Sequence, residues 1–579
     1  SVSIGKGANS VSGNTAIGEN ALDAAVTGAN NTAIGKDALT SNTTGLLNTA
    51  VGRLSLQANT TGQQNAALGE GSLEENTTGD YNTAIGTKTL QYNTTANNNT
   101  AIGYNALNDN TTAGNLTAVG AYALDANTTG DKNTALGYAS LSANTTATQN
   151  TAVGGNSLSN ATTSAYNTAV GYAALEQSTT GNGRNVAVGN ECLEENTTGY
   201  YNVAVGSNAL EANTTGHSNT AMGINALLVN NSNYNTAIGG FALTANTTGA
   251  YNTAVGYDSL DTNTTGDYNT AVGYNALEAN TTANNNTAIG YQALHTNTTG
   301  AKNTAVGYAA LATNTTTSSN SAFGYQALLV NTAGDNTAVG YNAMKDTTTG
   351  SANVAMGNAA LDANTTGDHN TALGSAAMST STTSAGCTAI GRLSLYDLTT
   401  GSYNTAVGSG SGSNMTTAAY NTFMGEYSGY GSDSTATTGS YNTFYGARSG
   451  QSITSGSSNV CIGWEAGKGI ANGASNVCIG PEAGGTGIIA GADSQLYIAR
   501  NNVGAGNEAV WIYGNTNGEC HQGDNSSSWS TTSDRRLKKN IVDSSKGLAE
   551  INQLRVTNFE YRLKDEIDMS EFPLADDPK

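Results

Sequence analysis

The sequence predicts an all-β chain dominated by one long parallel β-roll, a solenoid whose coils are 17 residues each. Three observations predict it. The pattern N-T-A-(I/V)-G returns, with close variants, at near-constant spacing from Asn14 to Gly480. Between its copies a second pattern, N-T-T-G, supplies residues typical of turns. Gly reaches 72 residues, Pro only three and charged residues 11%, with 37% apolar residues. That composition fits neither ordinary domains nor a charged disordered tail, and fixed-period repetition explains it.

The repeat is best measured from the glycine that closes each N-T-A-(I/V)-G. These anchors fall 17 residues apart from Gly18 to Gly171 and continue to Gly480, 28 in all. Single-residue slips precede Gly189, Gly239 and Gly340, and a 21-residue step precedes Gly446. One unit, NTAIGTKTLQYNTTANN (82–98), shows both halves. N-T-A-I-G reads as a short strand, and a Leu four residues after the anchor (Leu22, Leu39, Leu73, Leu90) precedes the N-T-T-G turn. Strand side chains alternate faces, so one face carries Ala and Gly and the other Ile or Val. Neither is polar, and both are expected to be buried.

A 17-residue coil is too thin to bury both faces within itself. One face is therefore expected to fill the coil and the other to meet neighbouring chains, most simply in a homotrimer. At about 4.8 Å per strand, 28 coils would stack to on the order of 130 Å. Asn and Gly are expected at corners that need left-handed or side-chain-capped backbone, and stacked Asn side chains could form ladders.

The repeat resembles the head of trimeric autotransporter adhesins, whose N-S-V-A-I-G matches NTAIG, and the NTAxG-ALxxNTTG arrays of phage fibre proteins. That resemblance covers roughly 480 residues, although the 17-residue period is longer than the adhesin one. Residues 1–408 read as the regular rod. Over 409–492 the Leu after the anchor becomes Gly (Gly412, Gly429, Gly450, Gly467, Gly484) and aromatics enter the strand (Phe423, Phe444). This variant segment is expected to be narrower or differently twisted. Residues 493–530, with SQLYIA and AVWIYG, read as short strands of an interwoven stem.

The formal charge of −21 resides mostly in the repeats: residues 1–533 carry −20 and residues 534–579 carry −1. A long surface of that sign repels phosphate backbones, so no nucleic-acid partner is expected. No run reaches the roughly 18–20 apolar residues of a spanning helix, so no membrane span is expected. Ser1 falls inside a repeat, SVSIG, and the natural N-terminus is expected to lie upstream.

Each candidate for chemistry has a plainer alternative. The N-T-T and N-T-A sequons match glycosylation acceptors but are expected to serve as turn residues. Tyrosines recur one residue after the anchor (Tyr104, Tyr172, Tyr257, Tyr274, Tyr291) and five before it (Tyr81, Tyr166, Tyr251, Tyr268). They read either as an aromatic face for glycans or as packing of ladder and chains. His217, His295, His369 and His521 have no ligand spacing, so neither metal nor cofactor is expected. Acidic corners such as TTGDYN (264–269) and LEEN (193–196) read as a solvated rim, with weak calcium binding the alternative. Cys192, Cys461 and Cys478 replace a small Ala and Cys387 an Asn; Cys461 and Cys478 are expected to stack as buried thiols. No carboxylate pair in a cleft marks a glycan-cleaving spike. Ice binding would need a flat array of Thr outside the core.

The C-terminal 46 residues hold 19 of the chain's 63 charged residues. SSKGLAEINQL (544–554) reads as a helix and VTNFEYRL (556–563) as a strand, the beginning of an α/β domain. S-D-R-R-L-K-K-N-I followed by LRVTNFEY resembles the C-terminal intramolecular chaperone, or peptidase S74, family, which ends phage spikes, appendages and tail fibres. The resemblance implies a self-cleaving Ser–Lys dyad, matched by Ser533 and Lys538, in a domain over 531–579 that trimerises chains and is released beside Ser533. A serine hydroxyl needs a base, and a lysine amine serves only when neutral. Arg535, Arg536 and Lys539 would lower the Lys538 pKa, and Asp534 would oppose them. The family domain is longer than the segment present here.

Together these features point to a structural fibre of a tailed phage that attaches to a host surface. Its expected partners are two further copies of itself, other virion proteins, and a host cell-surface glycan or protein. A bacterial surface adhesin or extracellular filament is the alternative, and a glycan depolymerase a further one. The expected location is a virion or, for the adhesin, a bacterial surface.

Overall fold

The computed structural model describes residues 4–181, 183–431, 436–485, 491–499, 510–514, 516–517 and 520–522. All belong to one compact unit, Ser1–Asn525. The second unit, Ser526–Lys579, lies outside the described residues, and with it the helix and strand expected at 544–563.

Every anchor glycine follows a three-residue strand, from Thr15–Ile17 to Val477–Ile479, giving the 28 expected coils of a parallel β-solenoid. Among the described residues the regular structure is entirely strand. Each strand pairs in parallel with the next: Thr287, Ala288 and Ile289 oppose Thr304, Ala305 and Val306. The irregular coils keep this register. Thr168 opposes Val186 across an 18-residue step, and Ser321 opposes Thr337 across a 16-residue one. Insertions and deletions are therefore absorbed outside the strands; in the short coil before Gly239 the Asn231 side chain takes the place of a turn carbonyl, accepting the backbone N–H of Thr214.

Alternation along the strand sets the core. The central Ala288 is fully buried, while Thr287 and Ile289 point outward. Ala293 and Leu294, from the second half of the coil, complete the interior at 0% exposure. Leu294 has a φ of +51°, and the corresponding Leu is left-handed in nearly every coil. A left-handed leucine costs roughly 1–2 kcal/mol. Full burial of its side chain stabilises by about 1.5–3 kcal/mol, so burial wins.

Two further bends, at Gln292 (φ +54°) and Lys302 (φ +59°), turn the same coil. The corners meet the expectation in two ways. The asparagine of N-T-T-G is side-chain-capped rather than left-handed, Asn297 donating across the turn to the Gly300 carbonyl. In this coil the anchor is the glycine corner. Gly290 has a φ of +133°, and a Cβ there would lie 2.5 Å from the Gly307 carbonyl oxygen.

Two asparagine ladders run through the interior. Asn286, at the start of N-T-A-I-G, accepts the backbone N–H of Asn303 at its Oδ1 (2.9 Å) and donates from Nδ2 to the Gly300 carbonyl (2.9 Å). Asn297, from N-T-T-G, donates to Asn280 Oδ1 (3.2 Å) and to the same Gly300 carbonyl (2.9 Å). Both side chains are fully buried. Their polarity is tolerated because the bonds repeat coil after coil, whereas one unpaired amide would cost about 1–3 kcal/mol. A buried amide cannot carry a glycan, which removes these sequons as acceptors in the folded chain.

Beyond Gly408 the register continues but the core is exchanged. Phe423 and Phe444 take the central strand position, fully buried and stacked with ring centroids 5.1 Å apart. Gly429 and Gly450 replace the leucine with the same left-handed backbone (φ +65° and +62°). A Cβ at Gly450 would lie 2.2 Å from the Phe444 ring. The bulky group has moved from one wall of the coil to the other. Met415, Thr437, Ile453 and Ile470 fill the inner turn position, all fully buried, and Thr437 donates its hydroxyl to the Ile453 carbonyl. Phe444→Ala is therefore expected to destabilise this segment by about 3–5 kcal/mol, because glycines on both sides cannot fill the hole. Chemical denaturation followed by Trp464 fluorescence checks this, since Trp464 lies in the following coil.

The sheet ends with short strands among the described residues of 491–522. Leu496–Ala499 pairs in parallel with Val477–Ile479, Val510–Gly514 antiparallel with Leu496–Ala499, and Cys520–Gln522 antiparallel with Val510–Gly514. These pairings lie within one chain.

Candidate functional site

Function in such a chain belongs to rows, because each coil position repeats along the solenoid. Three rows face outward. The residue just before the anchor is Ile, Val, Leu, Met, Phe or Tyr in all 28 coils, without one charge. It is nevertheless half-buried or exposed in the single chain, never buried, and Leu136 reaches 46% and Met356 52%. Thr or Val shares this outer face, two residues earlier. The inference that Ala and Ile occupy opposite faces holds, but the Ile face is not free of polar groups as expected, because strand alternation puts the Thr two residues earlier on it.

The residue just after the anchor has another character. It is Glu19, Lys36, Arg53 and Glu70 in four successive coils, with Lys36 3.5 Å from Glu19 and Arg53 paired with Glu70. Exposed pairs of this kind contribute little to stability, but they identify a row that faces water. From Tyr257 to Tyr341 the same row holds tyrosine in six successive coils. Their rings stack nearly parallel, 6–10° apart, with centroids 5.0–5.9 Å apart. The row five residues before the anchor carries shorter stacks, Tyr234–Tyr251–Tyr268 and Tyr403–Tyr420–Tyr441, at 5.0–5.1 Å. It also carries Lys132, Arg184, Lys302 and Asp335, so it too faces water.

Stacking covers the ring faces of every inner rung, leaving ring edges and hydroxyls outward. The rows are thus not flat platforms on which a sugar could lie. Period alone placed the tyrosines in rows, but only the structure shows which ring surfaces remain open.

Two histidines and four of the five cysteines are held within the solenoid. His217 stacks on Tyr200, centroids 4.7 Å apart, and His295 Nδ1 lies 3.1 Å from a Glu278 oxygen. Among the described residues no group of three or more His, Cys, Asp or Glu could hold a metal ion. Cys461 and Cys478 are register partners in adjacent strands and both are free and buried. Burial pushes the Cys192 thiol up to about 12 and raises Cys461 well above its ordinary value, so neither offers a reactive thiolate.

Stacked carboxylates leave a pH signature. Burial, and to a lesser degree Asp109, pushes Asp125 up to about 6. Burial followed by the neighbouring Glu191, Glu176 and Glu211 raises Glu194. Such groups bind protons more tightly folded than unfolded, so stability falls as pH rises from about 4 through 6. Glu465, lowered chiefly by its hydrogen bond from Lys468, acts the other way. The solenoid is expected to melt at a higher temperature at pH 5 than at pH 8, and Asp125→Asn to shrink that difference. Calorimetry at the two pH values measures both.

Ser533 and Lys538 lie outside the described residues, so their identification rests on sequence. There the family model for the chaperone of endosialidase (Peptidase_S74) matches residues 533–572, beginning at that serine. The chain ends in a chaperone-of-endosialidase domain. Neither a curated protein nor a solved structure matches the chain. The chaperone domain and the β-solenoid fit a tail-fibre-like structural protein.

Proposed function

We propose that this chain is the shaft of a homotrimeric phage fibre that attaches to a host surface, its chains aligned by the C-terminal chaperone domain and freed from it by cleavage beside Ser533. The row before the anchor carries the proposal. A row that faces water tolerates charge, as the row after the anchor does; this one stays apolar through 28 coils, although none of its members is buried within the single chain. Selection against every charge along such a length is explained by other copies of the chain covering it.

A register-setting domain also answers a physical need. Coils of equal length can pair one step out of place between chains at little local penalty. A clamp at one end chooses a single alignment.

Cross-linking tests the assigned face. In a Cys520→Ser background, Ile289→Cys is expected to give disulfide-linked chains on mild oxidation, and Lys302→Cys on the charged row to give none. Cross-links at 302 with none at 289 would reverse the assignment.

A further inference from the structure

We infer that the tyrosine ladder from Tyr257 to Tyr341 is a binding surface for a straight β-1,4-linked polysaccharide, lying along the solenoid with one sugar per coil. This rests on the proposal of surface attachment and names its ligand class. Three observations carry it.

The ladder is longer and straighter than packing requires. A stacked pair stabilises by about 0.5–1.5 kcal/mol whether the ring is Tyr or Phe, yet all six rungs are tyrosine. What tyrosine adds is a hydroxyl that both donates and accepts. Even the 16-residue step before Gly340 leaves Tyr325 and Tyr341 stacked at 5.0 Å, so the hydroxyl-bearing row continues through an irregular coil.

The spacing selects the ligand. Rungs repeat every 5.0–5.9 Å. An extended peptide presents same-side groups about every 6.8 Å and drifts out of step within a few coils. Nucleic acid is repelled by the acidic surface. A β-1,4-linked pyranose chain is a straight ribbon whose advance per sugar is close to one coil; alternate sugars are flipped, so the same edge returns at every second rung and stays in step, whereas an α-1,4-linked chain coils away from a straight row.

The chemistry matches as well. With ring faces occupied, the accessible groups are hydroxyls and ring edges, beside half-buried amides such as Gln292 and Gln326. The ladder itself carries no charge. Such a surface suits a neutral polyhydroxylated polymer, held by many weak contacts in register.

Titration calorimetry of the full chain with cello-, chito- and malto-oligosaccharides tests the inference. Affinity for cello- or chito-oligosaccharides is expected to rise at least about tenfold from trimer to hexamer, with no binding of maltohexaose. Tyr291→Phe with Tyr308→Phe keeps the stack, verified by an unchanged melting temperature, and is expected to weaken hexamer binding at least about tenfold. The same exchange at Tyr403 and Tyr420 is expected to change nothing. Equal binding of maltohexaose, length-independent affinity, no binding of either β-1,4 hexamer, or an undiminished double variant would overturn the inference. Attachment is judged separately by sedimentation of the intact fibre with host cells: sedimentation without oligosaccharide binding leaves attachment standing and removes the ladder's role.

Discussion

Ser533→Ala is expected to leave the chain uncleaved on a denaturing gel, while the parent chain loses its C-terminal segment. The effect is all-or-none because the hydroxyl is the proposed nucleophile. Removing a serine nucleophile slows a well-characterised hydrolase on the order of 10⁶-fold, which would put cleavage here below detection. Lys538→Arg gives the sharper test of mechanism. It keeps the positive charge, but a guanidinium does not deprotonate and cannot take the serine proton. Cleavage by the parent is accordingly expected to speed up with rising pH, as the neutral fraction of Lys538 grows. Arg535, Arg536 and Lys539 would bring that rise to lower pH by disfavouring a further positive charge. Identical bands for parent and Ser533→Ala would remove the dyad from the account while leaving the solenoid untouched.

Gly290→Ala is expected to break the stack locally. The added Cβ would meet the Gly307 carbonyl oxygen at 2.5 Å, and the φ of +133° strains any L side chain. Backbone atoms are the obstacle, so no rotamer change relieves the clash. A penalty on the order of 3 kcal/mol or more follows, spent by opening the coils on either side rather than by unfolding the chain. In a solenoid each coil contacts its neighbours alone, so damage stays near its origin. Hydrogen exchange is expected to show lost protection around residues 273–324 and native protection near Gly86. Uniform loss along the chain would mean that the coils fold as one cooperative block. Thr296→Ala is the matched control, since it removes only the hydroxyl's bonds to the Ala312 and Asn314 carbonyls.

Much of this fold is written in the period. Anchors at fixed spacing placed all 28 strands, and alternation placed Ala288 and its equivalents inside. The corners were less legible because they break a local preference. Leu294 sits at a φ of +51°, where a leucine is not expected, and only its complete burial explains why the conformation is kept. The asparagines looked like turn residues because N-T-T-G is a turn composition; their inward ladders depend on a partner one coil away, at |i−j| of 17. The change at Gly412 was visible as composition, but not its meaning. Gly450 and Phe444 are six residues apart and form one packing unit only once the coil closes. The S-D-x-x-L-K-x-N order pointed to the chaperone family, whose model matches from Ser533 onward, while the dyad itself lies outside the described residues.

The outward rows separate the two functions assigned to the surface. The row before the anchor, always apolar, is the one other chains would cover. The row after it, charged in some coils and tyrosine in others, is the one left to meet a ligand. The first assignment requires that three copies stand side by side in register. Native mass spectrometry or light scattering of the purified fibre measures this most directly. Three copies of whichever chain length the denaturing gel shows is the expected result, and a monomeric particle would contradict the account.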